Sequence, residues 1–243
     1  DAAVIRLPHI SNFTDFMPLE QHELLGVRYV QRARELGRPD LVILPGTKNT
    51  MEDLLWLRQN GLEAATLKLA HAGTPILGVC GGYQMLGQTL DDPQGTESGR
   101  PMALSGLGLL PTRTVFDAQK RRMQVRAVAQ DELFGRARLM GYEIHNGRTE
   151  VGGAPFCVLE DGTPEGCVNR NAFGTYLHGL FDSGELTQAL VKLLCARKGI
   201  SPRKTRPTSM AEYRQTQFDL LADGVRGALD MGAVYRAMGM KAP

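Results

Sequence analysis

The sequence predicts an α/β protein: a mostly parallel sheet flanked by helices, followed by a β-rich second half and C-terminal helices. Three observations predict it. Short strand-like apolar runs at 3–7, Val27–Val30, Leu41–Leu44 and Ile76–Val79 alternate with helically spaced segments at 50–58, Leu62–His71 and 82–90, the pattern of a parallel sheet with covering helices. A Gly- and Pro-rich stretch at 91–111 reads as loop, and the runs after it, at 122–128, 139–144, 156–159 and 173–177, read as a more antiparallel portion. The end of the chain then returns to helical spacing, first over 185–198 and again over 210–238, across a basic linker at 201–208. The division expected is therefore one α/β domain over 1–200 and a linker with a helical extension over 201–243.

Composition narrows the class of function. In 243 residues the apolar fraction is 42%, the charged fraction 22% and the net charge +2, ordinary values for a globular protein that give no footprint for a nucleic-acid partner. No apolar run reaches transmembrane length and the N-terminus carries no secretory pattern, so no membrane role is expected. The four cysteines, Cys80, Cys157, Cys167 and Cys195, have neither C-x-x-C nor metal-ligand spacing. No metal is expected in the chain, and a reducing cytoplasm is the expected location.

Gly78-Val79-Cys80-Gly81-Gly82 stands at the turn from an apolar strand into a helix. A cysteine between glycines at such a turn is the thiol form of a nucleophile elbow, in which glycines tolerate the strained backbone and the helix N-terminus favours thiolate. A buried structural cysteine would fit the pentapeptide equally well. Far along the chain, Phe173-Gly174-Thr175-Tyr176-Leu177-His178-Gly179 ends a strand on a histidine, placed to take the thiol proton if the two strands are neighbours. Leu41-Val42-Ile43-Leu44-Pro45-Gly46 runs into a glycine loop, whose backbone N–H groups, at Gly46, can face that of Gly81 as an oxyanion hole.

These stretches resemble the class I glutamine amidotransferase domains, and within them the cobyric acid synthase type. The resemblance is carried by the Cys80 and His178 stretches, by Val4–Pro8 with Ser11–Phe16, by Leu44-Pro45-Gly46-Thr47-Lys48-Asn49-Thr50, by Gly106–Pro111, and by Gly141-Tyr142-Glu143-Ile144-His145 with Gly147-Arg148-Thr149. It implies a flavodoxin-like fold, Cys80 as nucleophile and His178 as base. It also implies glutamine as substrate, with Gln84, one helical turn after Cys80, touching it; a solvent-facing helix position is the plain alternative. Leu180 stands where most class I members have a triad glutamate, as it does in the cobyric type. A backbone carbonyl is therefore expected to orient His178, with Asp182 and Glu185 the weaker candidates.

Glu143 and His145 share one face of a strand, either near a substrate channel or interface or as a hydrogen-bonded pair bracing the sheet. Lys120, Arg121, Arg122 and Arg126 read as a solvated loop, or as a surface for an acidic partner. The chain starts at Asp1 and holds no Gly-x-x-x-x-Gly-Lys-Ser/Thr loop, so it is expected to lack the N-terminal ATP-dependent synthetase domain of the resembled family. That domain would bring ATP and Mg²⁺ and the corrinoid substrate; no cofactor is expected in this chain. Three other readings stay open: the related type that amidates the a and c side chains, a thiol hydrolase with the same Cys-His geometry, and a non-catalytic module.

Overall fold

Runs of consecutive apolar residues have no polar face to give to water, so they settle in the middle of a sheet covered on both sides. The computed structural model describes residues 1–130, 134–201 and 209–240, which divide into two compact units, 1–207 and 208–243. In chain order the first unit starts with β1 (Ala2–Ile5), a 3-10 turn (Phe13–Phe16), α1 (Met17–Glu20), β2 (Val27–Val30), α2 (Ala33–Leu36), β3 (Leu41–Leu44), α3 (Thr50–Gln59), α4 (Leu62–His71) and β4 (Ile76–Val79). It continues with α5 (Gly81–Leu86), β5 (Thr89–Asp92), β6 (Met102–Ser105), β7 (Thr112–Ala129), β8 (Arg138–Val151), β9 (Cys157–Leu159), β10 (Pro164–Glu165), β11 (Cys167–Asn169), β12 (Ala172–Thr175), β13 (Leu177–His178) and α6 (Glu185–Arg197).

The first sheet has six strands in the order β11-β12-β4-β3-β1-β2. All its pairs are parallel except the edge pair β11–β12. Every residue of β1, β3, β4 and β12 is buried, whereas β2 at the other edge turns Tyr29 to solvent. The second sheet, of seven strands, is built on the long antiparallel pair β7–β8.

Three expected boundaries move. The helix expected over 82–90 stops at Leu86, because Gly87 is extended (ψ −177°); Thr89–Asp92 then alternates exposed and buried as a strand. The loop expected over 91–111 accordingly holds the end of β5 and all of β6, and the Asp92 carboxylate folds the turn between them by accepting the amides of Thr96, Glu97 and Ser98 at 2.7, 2.9 and 2.8 Å. The run at 173–177 is split. β12 ends the first sheet at Thr175, and two residues on, β13 pairs with β8 of the second. That step between sheets is what delivers His178. In the second unit, α7 (Met210–Ala228) is capped by Ser209, whose hydroxyl accepts the Glu212 amide, and α8 (Met231–Ala237) by Asp230. The basic linker falls almost wholly outside the described residues.

The elbow is set by close packing of α5 on β3. A Cβ at Gly82 would stand 2.0 Å from the Leu44 carbonyl oxygen, and the Gly82 amide donates to Pro45 O at 3.1 Å. Gly82→Ala should therefore force β3 and α5 apart and cost about 2–3 kcal/mol, read as a lower denaturant midpoint; an unchanged midpoint would refute this packing account.

Candidate active site

Cys80 follows β4 and caps α5 with φ 53° and ψ −109°, a conformation a residue with a Cβ adopts only when its surroundings impose it. Here they do: its amide donates to Thr175 O of β12 at 2.8 Å, and the helix begins at the next residue. The sulfur reaches Ile144 O of β8 at 3.6 Å. His178 comes to the same cleft from β13, and interaction with the Cys80 side chain is among the causes that raise its pKa.

The orienting group is a carboxylate, contrary to the expectation of a backbone carbonyl. Asp15 Oδ2 stands 2.6 Å from His178 Nδ1, and its Oδ1 accepts the Gly179 amide at 3.0 Å. Asp15 is 4% exposed, carried by the 3-10 turn behind β1. Glu185 is turned to Arg138 instead, at 2.7 Å. Burial alone would lower the His178 pKa; the interactions with Asp15 and Cys80 outweigh it and hold the imidazole at about 9, above the ordinary 6.5.

Gly46 follows β3, and a Cβ there would stand 3.0 Å from His178 Cε1, so a side chain would press on the imidazole and shift it by a few tenths of an ångström. Gly81 opens α5, where first-turn amides have no intrahelical acceptor. The loop between Gly46 and α3 is anchored by fully buried Asp53, which accepts from His9 Nδ1 at 2.8 Å and from the Thr47 hydroxyl.

The cleft above Cys80 has a volume of about 100 Å³. Besides the two histidines His145 and His178, its ionic wall residues are Lys48 and Glu97. Lys48 stands in the Leu44–Thr50 stretch but was given no role of its own, and Glu97 was not singled out from the sequence. Glu97 accepts the Thr50 amide at the start of α3, at 2.7 Å, and burial raises its pKa despite that bond.

Gln84 also lines the cleft, but its carboxamide is occupied. Oε1 accepts the Thr50 hydroxyl at 3.0 Å, and Nε2 donates to Asn146 O and Tyr176 Oη, both at 3.1 Å. It braces three elements and has no donor left for a substrate.

Glu143 and His145 do lie on one face, with His145 Nε2 3.8 Å from Glu143 Oε2. They face a second, larger cavity of about 560 Å³, and His145 is a wall of both. Its ring stacks on Tyr176, with centroids 3.6 Å apart, and its buried Nδ1 has no hydrogen-bond partner. Of the carboxylates there, Glu143 is paired with Arg121 at 2.6 Å and Asp117 with Arg148 at 3.1 Å, while burial pushes the Glu165 pKa up to about 7 against the hydrogen bonds from Thr175, Tyr176 and Cys157. Arg121, Arg122 and Arg126 thus belong to strand β7, not to a loop, and Arg121 is an ion-pair partner; the side chain of Lys120 lies outside the described residues. Among the described residues no group of three His, Cys, Asp or Glu could hold a metal, and no helix is long and apolar enough to cross a membrane.

A parallel sheet that carries a strained cysteine elbow, met by a histidine from the second sheet, has the architecture of the class I glutamine amidotransferase fold. The chain belongs to the CobB/CobQ-like glutamine amidotransferase domain family, whose pattern matches residues 1–186. It is 43% identical over 253 residues to a cobyric acid synthase of Ruminiclostridium cellulolyticum, covering 98% of this chain and 49% of that protein. It is 45% identical over 249 residues to the one of Salmonella arizonae, covering 97% and 48%. The chain thus spans about half the length of these curated relatives. In fold it is similar to PurLQS from Thermotoga maritima (TM-score 0.61, 17% identity, 79% of this chain and 98% of that one) and to a crystal structure of a glutamine amidotransferase (TM-score 0.57, 14% identity, 80% and 98%).

The raised His178 pKa has a consequence for stability. A histidine that binds its proton more tightly when folded stabilises the fold fully below the unfolded value near 6.5 and ceases to as pH rises through about 9. His178→Gln should therefore lower the unfolding midpoint below pH 6.5 and converge on the wild type above pH 9; a penalty independent of pH would contradict the shift.

Proposed function

We propose that this chain hydrolyses glutamine at Cys80 and supplies the ammonia for an amidation. The observation that carries the reading is the strained Cys80 elbow sharing one cleft with His178, which Asp15 contacts at 2.6 Å. The Cys80 thiolate attacks the side-chain carbonyl carbon of glutamine, and the oxyanion is met by the amides of Gly81 and Gly46. His178 passes its proton to the leaving nitrogen, ammonia departs, and a γ-glutamyl thioester remains on Cys80. His178 then takes a proton from water, which attacks the thioester and releases glutamate. Asp15 keeps the imidazole in the tautomer and orientation these transfers need.

A free amino acid carries one positive and one negative group beside its reacting amide. Lys48 and Glu97, the cation and anion of the cleft wall, match the α-carboxylate and α-ammonium of glutamine. The ammonia leaves past His145 into the cavity lined by Glu143, which Arg121 pairs, and Glu165, whose pKa burial raises to about 7. The similarity to relatives named cobyric acid synthase supports the acceptor: the b, d, e and g carboxylates of adenosylcobyrinic acid a,c-diamide, activated by ATP and Mg²⁺ in an N-terminal synthetase domain, in the cytoplasm. That similarity favours the cobyric type over the one amidating the a and c side chains. Enzyme class follows as a carbon–nitrogen ligase with glutamine as amido donor.

Two measurements test this. A diazo-ketone analogue of glutamine should alkylate Cys80, located by peptide mass spectrometry, with glutamine competing and Cys80→Ser blank; absence of the adduct, with and without a synthetase half, would sink the reading. Glu97→Gln should raise the KM for glutamine by about 10- to 100-fold, the loss of one charge-assisted hydrogen bond, with kcat changed far less. An unchanged KM would remove Glu97 from the substrate site.

A further inference from the structure

Tyr142 belongs to the Gly141–His145 stretch, and nothing in the reaction described above uses it. Its ring lies over the His178 imidazole, with centroids 5.3 Å apart and planes at 25°. Its hydroxyl accepts a hydrogen bond from Asn12 Nδ2 at 2.6 Å. Asn12 is the residue that caps the 3-10 turn bearing Asp15, and it does so in the left-handed region, at φ 55°. One side chain thus touches both halves of the His178–Asp15 pair: the ring covers the imidazole and the hydroxyl fastens the turn that supplies the carboxylate. The register places it there, since Tyr142 is directly opposite His178 in the β8–β13 pair.

We propose that Tyr142 is a positioning residue for this site, stabilising the protonated form of His178 through its ring and tying the Asp15 turn through its hydroxyl. This deepens the glutaminase reading and rests on it for its meaning, though not for its measurement. The electrostatics are consistent. An aromatic face within about 6 Å of a cation attracts it. The groups facing His178 are Asp15 from the 3-10 turn, the Cys80 thiol from the elbow and Tyr142 from β8; Lys48 and His145 share the same cleft, and Asp182 lies beyond Gly179. Asp15 and Cys80 hold the proton by charge and hydrogen bonding, and they are open to competition from water on any side left uncovered. Tyr142, 38% exposed, is the cover on the β8 side. Its partial exposure also makes it replaceable without opening the core.

The two roles separate by substitution. Tyr142→Leu removes the ring face and the hydroxyl; Tyr142→Phe keeps the face and removes only the acceptor for Asn12. The probe is the Cε1–H NMR resonance of His178, assigned with His178→Gln and followed through a pH titration, with the unfolding midpoint recorded for each variant. Tyr142→Leu should lower the His178 pKa by about half to one unit, the size of a partly exposed cation–π contact. Tyr142→Phe should restore the pKa to near the wild type. In the diazo-ketone reaction both variants should slow modification of Cys80, and Asn12→Ala should slow it no further when added to Tyr142→Phe. A His178 titration in Tyr142→Leu that overlays the wild type would overturn the ring's role. Additive effects of Asn12→Ala and Tyr142→Phe would overturn the tie. Because the titration needs no turnover, a failed proposal here is distinguishable from a chain that does not hydrolyse glutamine.

Discussion

The contact between the Asp15 carboxylate and the His178 imidazole joins the first turn of the chain to the last strand, 163 residues apart in sequence, and the site is complete only where they meet. Both groups are almost wholly removed from water. A carboxylate buried without a partner would be strongly destabilising, and an imidazole buried alone would lose its proton. Together, and with the Gly179 amide on the second oxygen, each removes the penalty of the other. The pair fixes geometry, and it adds stability where His178 keeps its proton, a contribution lost as pH rises through about 9. It fixes which nitrogen of His178 faces Asp15 and leaves the opposite side of the ring to Cys80.

Everything around this contact serves to hold three separate backbone segments at hydrogen-bonding range. Parallel pairing of β12 with β4 places Thr175 beside Cys80, so that the strained elbow is pinned by a main-chain hydrogen bond. The crossing from β12 to β13 then brings His178 in from the second sheet, three residues after Thr175. Gly82 is small because Leu44 O occupies the space a side chain would fill, and a side chain at Gly46 would press on the imidazole. Gln84, Thr50 and Tyr176 form a buried polar brace under the cleft, and a polar group spent in that way is unavailable to a ligand. The ionic pair that remains on the wall, Lys48 with Glu97, has the charge pattern of an amino acid's complement.

The sheet and the elbow were legible in the sequence because their signals are local. Consecutive apolar residues mark β1, β3 and β4, and the glycines about Cys80 mark the elbow. His178 was legible through a strand ending on histidine and glycine. Asp15 was not. Leu180 stands in place of the usual glutamate, and the carboxylate comes instead from the opposite end of the chain, by a contact that no spacing encodes. Its one local sign was an acidic residue between Phe13 and Phe16, just behind a buried strand. Gln84 lines the cleft, as helical spacing placed it, but spacing gave no sign of the three partners, from α3, β8 and the β12–β13 crossing, that hold its carboxamide. The β5–β6 pair was lost among glycines and prolines, where a short strand is set by the sheet it joins.

The most direct test of the account is the second-order rate at which the diazo-ketone analogue modifies Cys80 in Asp15→Asn, which keeps the size of the side chain and removes its charge. The account predicts a loss of about 10²- to 10⁴-fold, as for other sites whose orienting carboxylate becomes an amide, with the thermal midpoint lowered only modestly. A variant that reacts as fast as the wild type would show that His178 is aligned without Asp15, and would contradict it.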